Sequence, residues 1–296
     1  MRRLGTAQHG RLRASLDQVR GCLAEHLAMA TTDKVFAGSI PEIYERFLVP
    51  LIFEPYARDL ADRVAAAAPY DVLETAAGTG VLTRALAARL PAAARIVATD
   101  LNQPMLDQAA KRQAGDRNIE YRQADALTLP FPAASFDVVV CQFGTMFFPD
   151  KVAAYKQARR VLRPNGHLIF NVWDKISDNE FADVVTQALA EIFPHDPPRF
   201  LARTPHGYHD GEQIRRELTA AGFSNISVAG VEETSKAPSP CDSATGFCQG
   251  TPLRSEIEAR DPAGLEHATA HAAAVLGRRF GNGPIEGRMR ALVVSA

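Results

Sequence analysis

No C-x-x-C pair occurs among Cys22, Cys141, Cys241 and Cys248, and no histidine follows them at zinc-type spacing. That argues against a disulfide framework and leaves no metal site expected. No apolar run approaches the roughly 18 residues that a membrane-spanning helix requires. Neither sign of charge dominates, with 33 Lys and Arg against 34 Asp and Glu, so no overall positive field exists to hold a polyanion and nucleic acid is not an expected partner. Repeats and low-complexity tracts are missing as well. The Arg-rich start of the chain lacks the continuous apolar core of a secretory signal. The globular pattern opens only at Met29, in "MATTDKVFAGSIPEIY". Residues 1–32 therefore read as a leader, disordered or a product of start-site choice, in preference to an organelle-targeting peptide, and a cytoplasmic location is expected.

What is present is an alternation. After a helical stretch, 41–68, whose prolines Pro50 and Pro55 are expected to break it, "YDVLETA" (70–76) is a short apolar run of the kind a buried parallel strand requires. A helix "TGVLTRALAARL" follows, then a strand "ARIVATD" (94–100), a helix from Pro104, and three more strands at 118–125, 135–143 and 166–173. The helix between the last two runs from Asp150 to a stop at Pro164 and Gly166. Strand and helix in turn imply a parallel sheet covered on both faces. Residues 177–209 hold one helix and then "PHDPPRFLARTPHGYHD", too rich in Pro and His for a core element and read as a lid. Residues 210–296 supply a helix, a strand "NISVAGVEET", a helical block over 253–280 and a closing strand.

The chemistry sits in "VLETAAGTGVLTRALA" (72–87). Small residues at 76, 77, 78 and 80 let a ligand approach the backbone, and the helix that opens near Thr79 turns its free N–H groups toward the same space. A pyrophosphate-binding G-x-G-x-x-G would need a small residue at Thr83, which weighs against a dinucleotide. Asp100 closes the next strand, about 20 residues on, where a carboxylate accepts from a ribose diol; Asp125 closes the third, where it can accept from an adenine amino group.

These segments, with "ATDLNQPML", "RQADALTLPFPAASFDVVVCQFGTMFFPD" and "ARRVLRPNGHLIFNVWD", resemble in order and spacing the signature segments of class I S-adenosylmethionine-dependent methyltransferases, nearest to the small-molecule branch with the ubiquinone and menaquinone C-methyltransferases. The likeness covers residues 70–174 and continues more loosely to the C-terminus. It implies a Rossmann-like α/β fold with a seven-stranded, mostly parallel sheet whose last strand is antiparallel, helices on both faces, an N-terminal helical cap (33–68), a cofactor core (70–174) and a lid insertion, all in one domain over 33–296. It implies S-adenosyl-L-methionine as cofactor and a small molecule, apolar or aromatic, as methyl acceptor. Glu74 would organise the loop, with Ala76, Gly78 and Gly80 against the methionine portion. Asp100 would hold the ribose diol, Leu101 and Met105 the adenine faces, Asp125 and Ala126 its amino edge, and Gln142 the mouth of the site. Ala76 stands where the family has glycine, which is tolerable only at negative φ.

The catalytic group is left open, with His206, His209 and Tyr208 as candidates; each has an ordinary loop role as its rival, as does His195. Phe36, Tyr44, Phe47 and Phe53 before the sheet, and Phe147, Phe148, Phe181, Phe193 and Phe200 after it, are mostly core by their helical spacing; those facing the crevice would line an apolar chamber. The rival functions are a nicotinamide-dependent oxidoreductase and a non-catalytic S-adenosylmethionine-binding protein. The oligomeric state is open, a homodimer included.

Overall fold

The computed structural model describes residues 33, 36, 38–113 and 119–296, so the leader expected over 1–32 lies outside the described residues. The chain divides into two units, Met1–Val35 and Phe36–Ala296, and the second carries the whole sheet. Its strands are β1 (Asp71–Thr75), β2 (Arg95–Asp100), β3 (Ile119–Gln123), β4 (Phe136–Gln142), β5 (Leu162–Trp173), β6 (Ser227–Ala237) and β7 (Ile285–Ser295). They form one sheet in the order β3-β2-β1-β4-β5-β7-β6. β7 runs antiparallel to both of its neighbours and the other six are parallel to one another, as the resemblance implied.

Consecutive residues of the central strands feed two separate cores. Val72, Ile96, Val138 and Val140 pack with Leu60, Val64, Leu82 and Leu86, while Leu73, Val97 and Val139 join Tyr155, Val161 and the C-terminal helices. A strand buried on both faces has no polar alternation, which is why these strands read as continuous apolar runs.

The helices are α1 (Ile40–Ile43), α2 (Glu54–Ala66), α3 (Val81–Arg89), α4 (Gln103–Arg112), α5 (Lys151–Val161), α6 (Glu180–Ile192), α7 (Phe200–Arg203), α8 (Gly211–Ala220), α9 (Pro240–Gln249), α10 (Leu253–Arg260) and α11 (Leu265–Phe280). Two expectations are corrected. Pro50 and Pro55 do not break the cap: a π-helical stretch, Tyr44–Phe53, carries the chain without interruption from α1 into α2, with Glu54 N donating to Val49 O five residues back. Pro55 sits in the first turn of α2, where a missing N–H is tolerated, and the Leu51 carbonyl four residues before it accepts from the Ser235 hydroxyl at 2.8 Å. The segment 194–209 is not a polar surface loop, because Phe200, Leu201, His206 and Tyr208 are all buried. Glu256 makes that burial tolerable by accepting from the backbone N–H groups of Arg199 and Phe200, at 2.7 and 3.1 Å, and from the Arg203 guanidinium at 2.8 Å. The helical block expected over 253–280 is present, as the two helices α10 and α11; α9 before it has no sequence signal because Cys, Asp, Ser, Thr and Gly give it little intrinsic helix propensity.

Candidate active site

Four strands end side by side at Thr75, Asp100, Gln142 and Trp173, and the bend Ala76–Gly80 leaves the first of them to enter α3. Ala77 N donates to Thr99 O at 2.9 Å, which ties the bend to β2. Gly80 has φ +80° and a Cβ there would stand 2.9 Å from Ala109 Cβ, so only glycine lets α3 start this close to α4. A Cβ on Gly78 would lie 3.6 Å from Met105 Cε, which puts Met105 across the bend.

Ala76 departs from expectation. Its φ is +53°, in the left-handed region, at a cost of about 1–2 kcal/mol for a residue with a Cβ. The methyl is accommodated by the loop after β4: a Cβ on Gly144 would come within 2.4 Å of Ala76 Cβ. The alanine is matched by an absent side chain opposite it.

Two acids flank this bend. Glu74 is fully buried in β1, where the Thr83 hydroxyl donates to Oε2 at 2.6 Å. Thr83, read from the sequence only as the wrong residue for a dinucleotide loop, is thus the donor that holds Glu74. Burial pushes the Glu74 carboxyl up to about 8, against the smaller opposing effects of Thr83 and Arg84. The folded protein therefore holds a proton there that the unfolded chain releases above its ordinary value of 4.5. The stability this group contributes is complete below that value and is lost as pH rises toward 8, at about 1.4 kcal/mol per pH unit. Thermal melts across that window should show Glu74→Gln losing part of the decline that the wild type shows; an identical decline in both would contradict the assignment.

Asp100 is buried at the end of β2, with Oδ2 accepting from Gly78 N at 2.9 Å and Oδ1 from Asn102 N at 2.8 Å. Burial raises its pKa and these donors oppose the rise. Beside it Leu101 is 48% exposed, while Met105 is buried. The register sets Asp100 opposite Gln123, the last residue of β3, so Asp125 lies two residues beyond the strand it was expected to close. It is exposed, and its Oδ1 accepts from Leu127 N at 2.9 Å in a turn that leaves Ala126 half-buried. Gln142 closes β4; its Nε2 donates to the Phe53 carbonyl of the cap at 2.8 Å, and its Oε1 is buried with no partner among the described residues.

Above the strand ends runs a chain of rings. Phe36 meets Tyr44 and Phe147 edge-on at 6.1 and 6.0 Å, and Tyr44 stacks on Phe53 at 5.0 Å. Phe53 meets Phe143 and Trp173, which stack on each other at 3.8 Å, and Trp173 meets His206 at 5.9 Å. Phe147 and Phe200 are 6.4 Å apart. Phe36, Tyr44, Phe53, Phe147 and Phe200 are thus brought together. Phe47 instead lies under Arg46, and Phe181 packs on Phe280. Phe143 and Trp173 were missed, although residues just at or beyond the ends of parallel strands are where ligands sit. Phe143 holds φ +50°, its N–H donating to Asn171 Oδ1 at 2.9 Å.

The catalytic candidates separate. The Tyr208 hydroxyl is committed to Glu217 and lies 3.1 Å from that of Tyr155. Burial pushes its pKa far up, so it supplies no phenolate. His209 is exposed, with Nδ1 on the His206 carbonyl at 2.8 Å, and His195 is exposed too. His206 is buried, and its Nδ1 lies 2.8 Å from the Asp174 carbonyl oxygen. A carbonyl only accepts, so Nδ1 carries the hydrogen and Nε2 keeps its lone pair. Burial lowers the His206 pKa to about 4, which keeps the ring neutral at physiological pH.

The methyltransferase-domain family matches residues 73–170, from β1 into β5. A demethylmenaquinone methyltransferase of Thermus thermophilus is 32% identical over 57% of this chain and 81% of its own length. One of Deinococcus radiodurans is 36% identical over 64% of this chain and 83% of its own. Among solved structures, a candidate methyltransferase of Bacillus halodurans C-125 shares the fold, with a TM-score of 0.52 and 19% identity over 80% of this chain and 96% of that one. Neither the nicotinamide-dependent reading nor the non-catalytic one is favoured by these matches. The chain belongs to the class I S-adenosylmethionine-dependent methyltransferases and transfers a methyl group from that cofactor to a small molecule.

Proposed function

We propose that the acceptor is an apolar hydroxylated aromatic ring, methylated with His206 as the base. The observation that carries this reading is the unbroken series of rings from Phe36 to Trp173 that ends on the neutral, Nδ1-protonated His206. The names of the Thermus and Deinococcus relatives, which act on demethylmenaquinone, support the same class.

In this reading Asp100 accepts from the ribose hydroxyls, Asp125 and the backbone at Ala126 meet the adenine edge, and Leu101 and Met105 lie on its two faces. The half-exposed Leu101 and the bare backbone of Gly78 fit such a ligand, and so does the unpartnered Gln142 Oε1. Ala76, Gly78, Gly80 and Glu74 border the amino acid portion. When bound, S-adenosylmethionine supplies a methyl already activated on a sulfonium. The chain's part is to align the acceptor and exclude water, which in well-aligned cases lowers a barrier by about 7–11 kcal/mol. As the methyl leaves the sulfonium sulfur and bonds an acceptor carbon, the ring hydroxyl becomes far more acidic than in the free phenol, so an imidazole of depressed basicity at Nε2 can still take that proton; the hydrogen on the methylated carbon then passes to the oxygen as the ring regains aromaticity.

Transfer of labelled methyl groups to a panel of acceptors tests this. Reduced demethylmenaquinone and simpler hydroxynaphthalenes should be labelled, and aliphatic amines should not. Labelling confined to the amines would refute the aromatic assignment.

A further inference from the structure

Among the buried polar atoms without a partner is one that none of the roles above uses. Glu45 lies in the π-helical stretch of the cap, with its side chain 6% exposed. Its Oε1 accepts from Arg84 Nη2 at 2.8 Å, and the same guanidinium donates through Nη1 to the Thr79 carbonyl at 2.7 Å. One cation thus joins Glu45 to the glycine bend. A guanidinium fork facing a carboxylate ordinarily binds both oxygens. Here its second arm is turned to Thr79, and Glu45 Oε2 stays buried with no donor among the described residues. Such an atom is rare in a folded protein, because an acceptor stripped of water and left unmatched is costly. Tyr44 adjoins it in the chain, and the charges of Glu45 and Asp100 both add to the burial that raises the Tyr44 pKa.

We infer that Glu45 Oε2 receives the α-ammonium group of S-adenosylmethionine, which makes Glu45 a cofactor-binding residue supplied by the helical cap. An ammonium carries three donors and no acceptor, and it matches a carboxylate oxygen whose partner oxygen is already held by Arg84. The bend offers backbone to the same end of the ligand, and Arg84 fixes the distance between bend and cap. Glu45 would then distinguish the intact amino acid nucleoside from nucleosides that lack the amino group. The inference rests on the seating of the cofactor proposed above.

The test is calorimetric and needs no turnover. S-adenosylhomocysteine is compared with its deaminated analogue, in which hydrogen replaces the ammonium. Wild-type protein should prefer S-adenosylhomocysteine by about tenfold or more. Glu45→Gln keeps an acceptor for Arg84 and puts an amide N–H₂ where the free oxygen was. It should reduce the preference to within about threefold while leaving the affinity for the analogue nearly unchanged. Glu45→Asp, which withdraws the carboxylate by one methylene, gives the same reading if the glutamine variant does not fold. An unchanged preference, or an equal loss for both ligands, would show that Glu45 merely positions the cap and would overturn the inference alone. Wild-type protein that binds neither ligand would overturn the cofactor seating and the inference with it.

Discussion

Asp100→Ala should weaken S-adenosylhomocysteine binding by about 10²- to 10⁴-fold, measured by calorimetry, without unfolding the protein. Two hydrogen bonds from a ribose diol to an ionised acceptor are worth about 1.5–3 kcal/mol each, and both vanish with the carboxylate. A second effect acts in the same direction. Asp100 Oδ2 also accepts from Gly78 N, so its removal unties the bend that faces the ligand. Asp100→Asn separates the two: it keeps an acceptor and the side-chain volume, and its loss should be intermediate. An affinity unchanged in the alanine variant would remove Asp100 from the site. A loss of melting temperature comparable to that of a core deletion would shift the explanation from binding to folding.

His206→Gln should lower kcat by about 10²- to 10⁴-fold, the usual contribution of a positioned base, while S-adenosylhomocysteine affinity stays within about twofold. The pH profile gives a further check. The free-protein pKa of about 4 means that His206 keeps its lone pair down to mildly acidic conditions, so wild-type kcat/KM should show no acid limb near the ordinary histidine range. A limb centred at about 6.5 would mean that some other group is the base. A kcat unaffected by the substitution would leave the reaction to alignment alone. The glutamine also tests for structural damage, since a collapsed aromatic array would raise KM and lower stability together.

The central strands and the glycine bend were legible because β1, β2 and β4, buried on both faces, are short apolar runs that end at or next to a polar residue. Glu74, Asp100 and Gln142 stand out on that basis, at or next to the ends of β1, β2 and β4. What was not legible depends on partners far away in the sequence. Proline normally marks the end of a helix, so the continuation through Pro55 could not be read without Ser235, whose hydroxyl meets the Leu51 carbonyl. The segment around His206 looked like surface because its Pro and His content does not disclose Glu256, which answers its backbone from α10. Nothing in the sequence around Glu45 marks it as buried, because its partner Arg84 lies 39 residues further along the chain. Thr83 did carry a signal, since a hydroxyl in the first turn after an acidic strand end can reach back to that acid.

The fit of Ala76 into the empty space at Gly144 also makes the two positions unequal in what they tolerate. Position 76 can revert to glycine at any time, since the reversal only relieves backbone strain. Position 144 is not free in the same way, because any side chain there collides with the methyl already in place. Glycine at 76 would not by itself open position 144, where a Cβ would also stand 2.7 Å from Cys141 Sγ, so the loop after β4 stays bare on account of its own strand as well as of the bend.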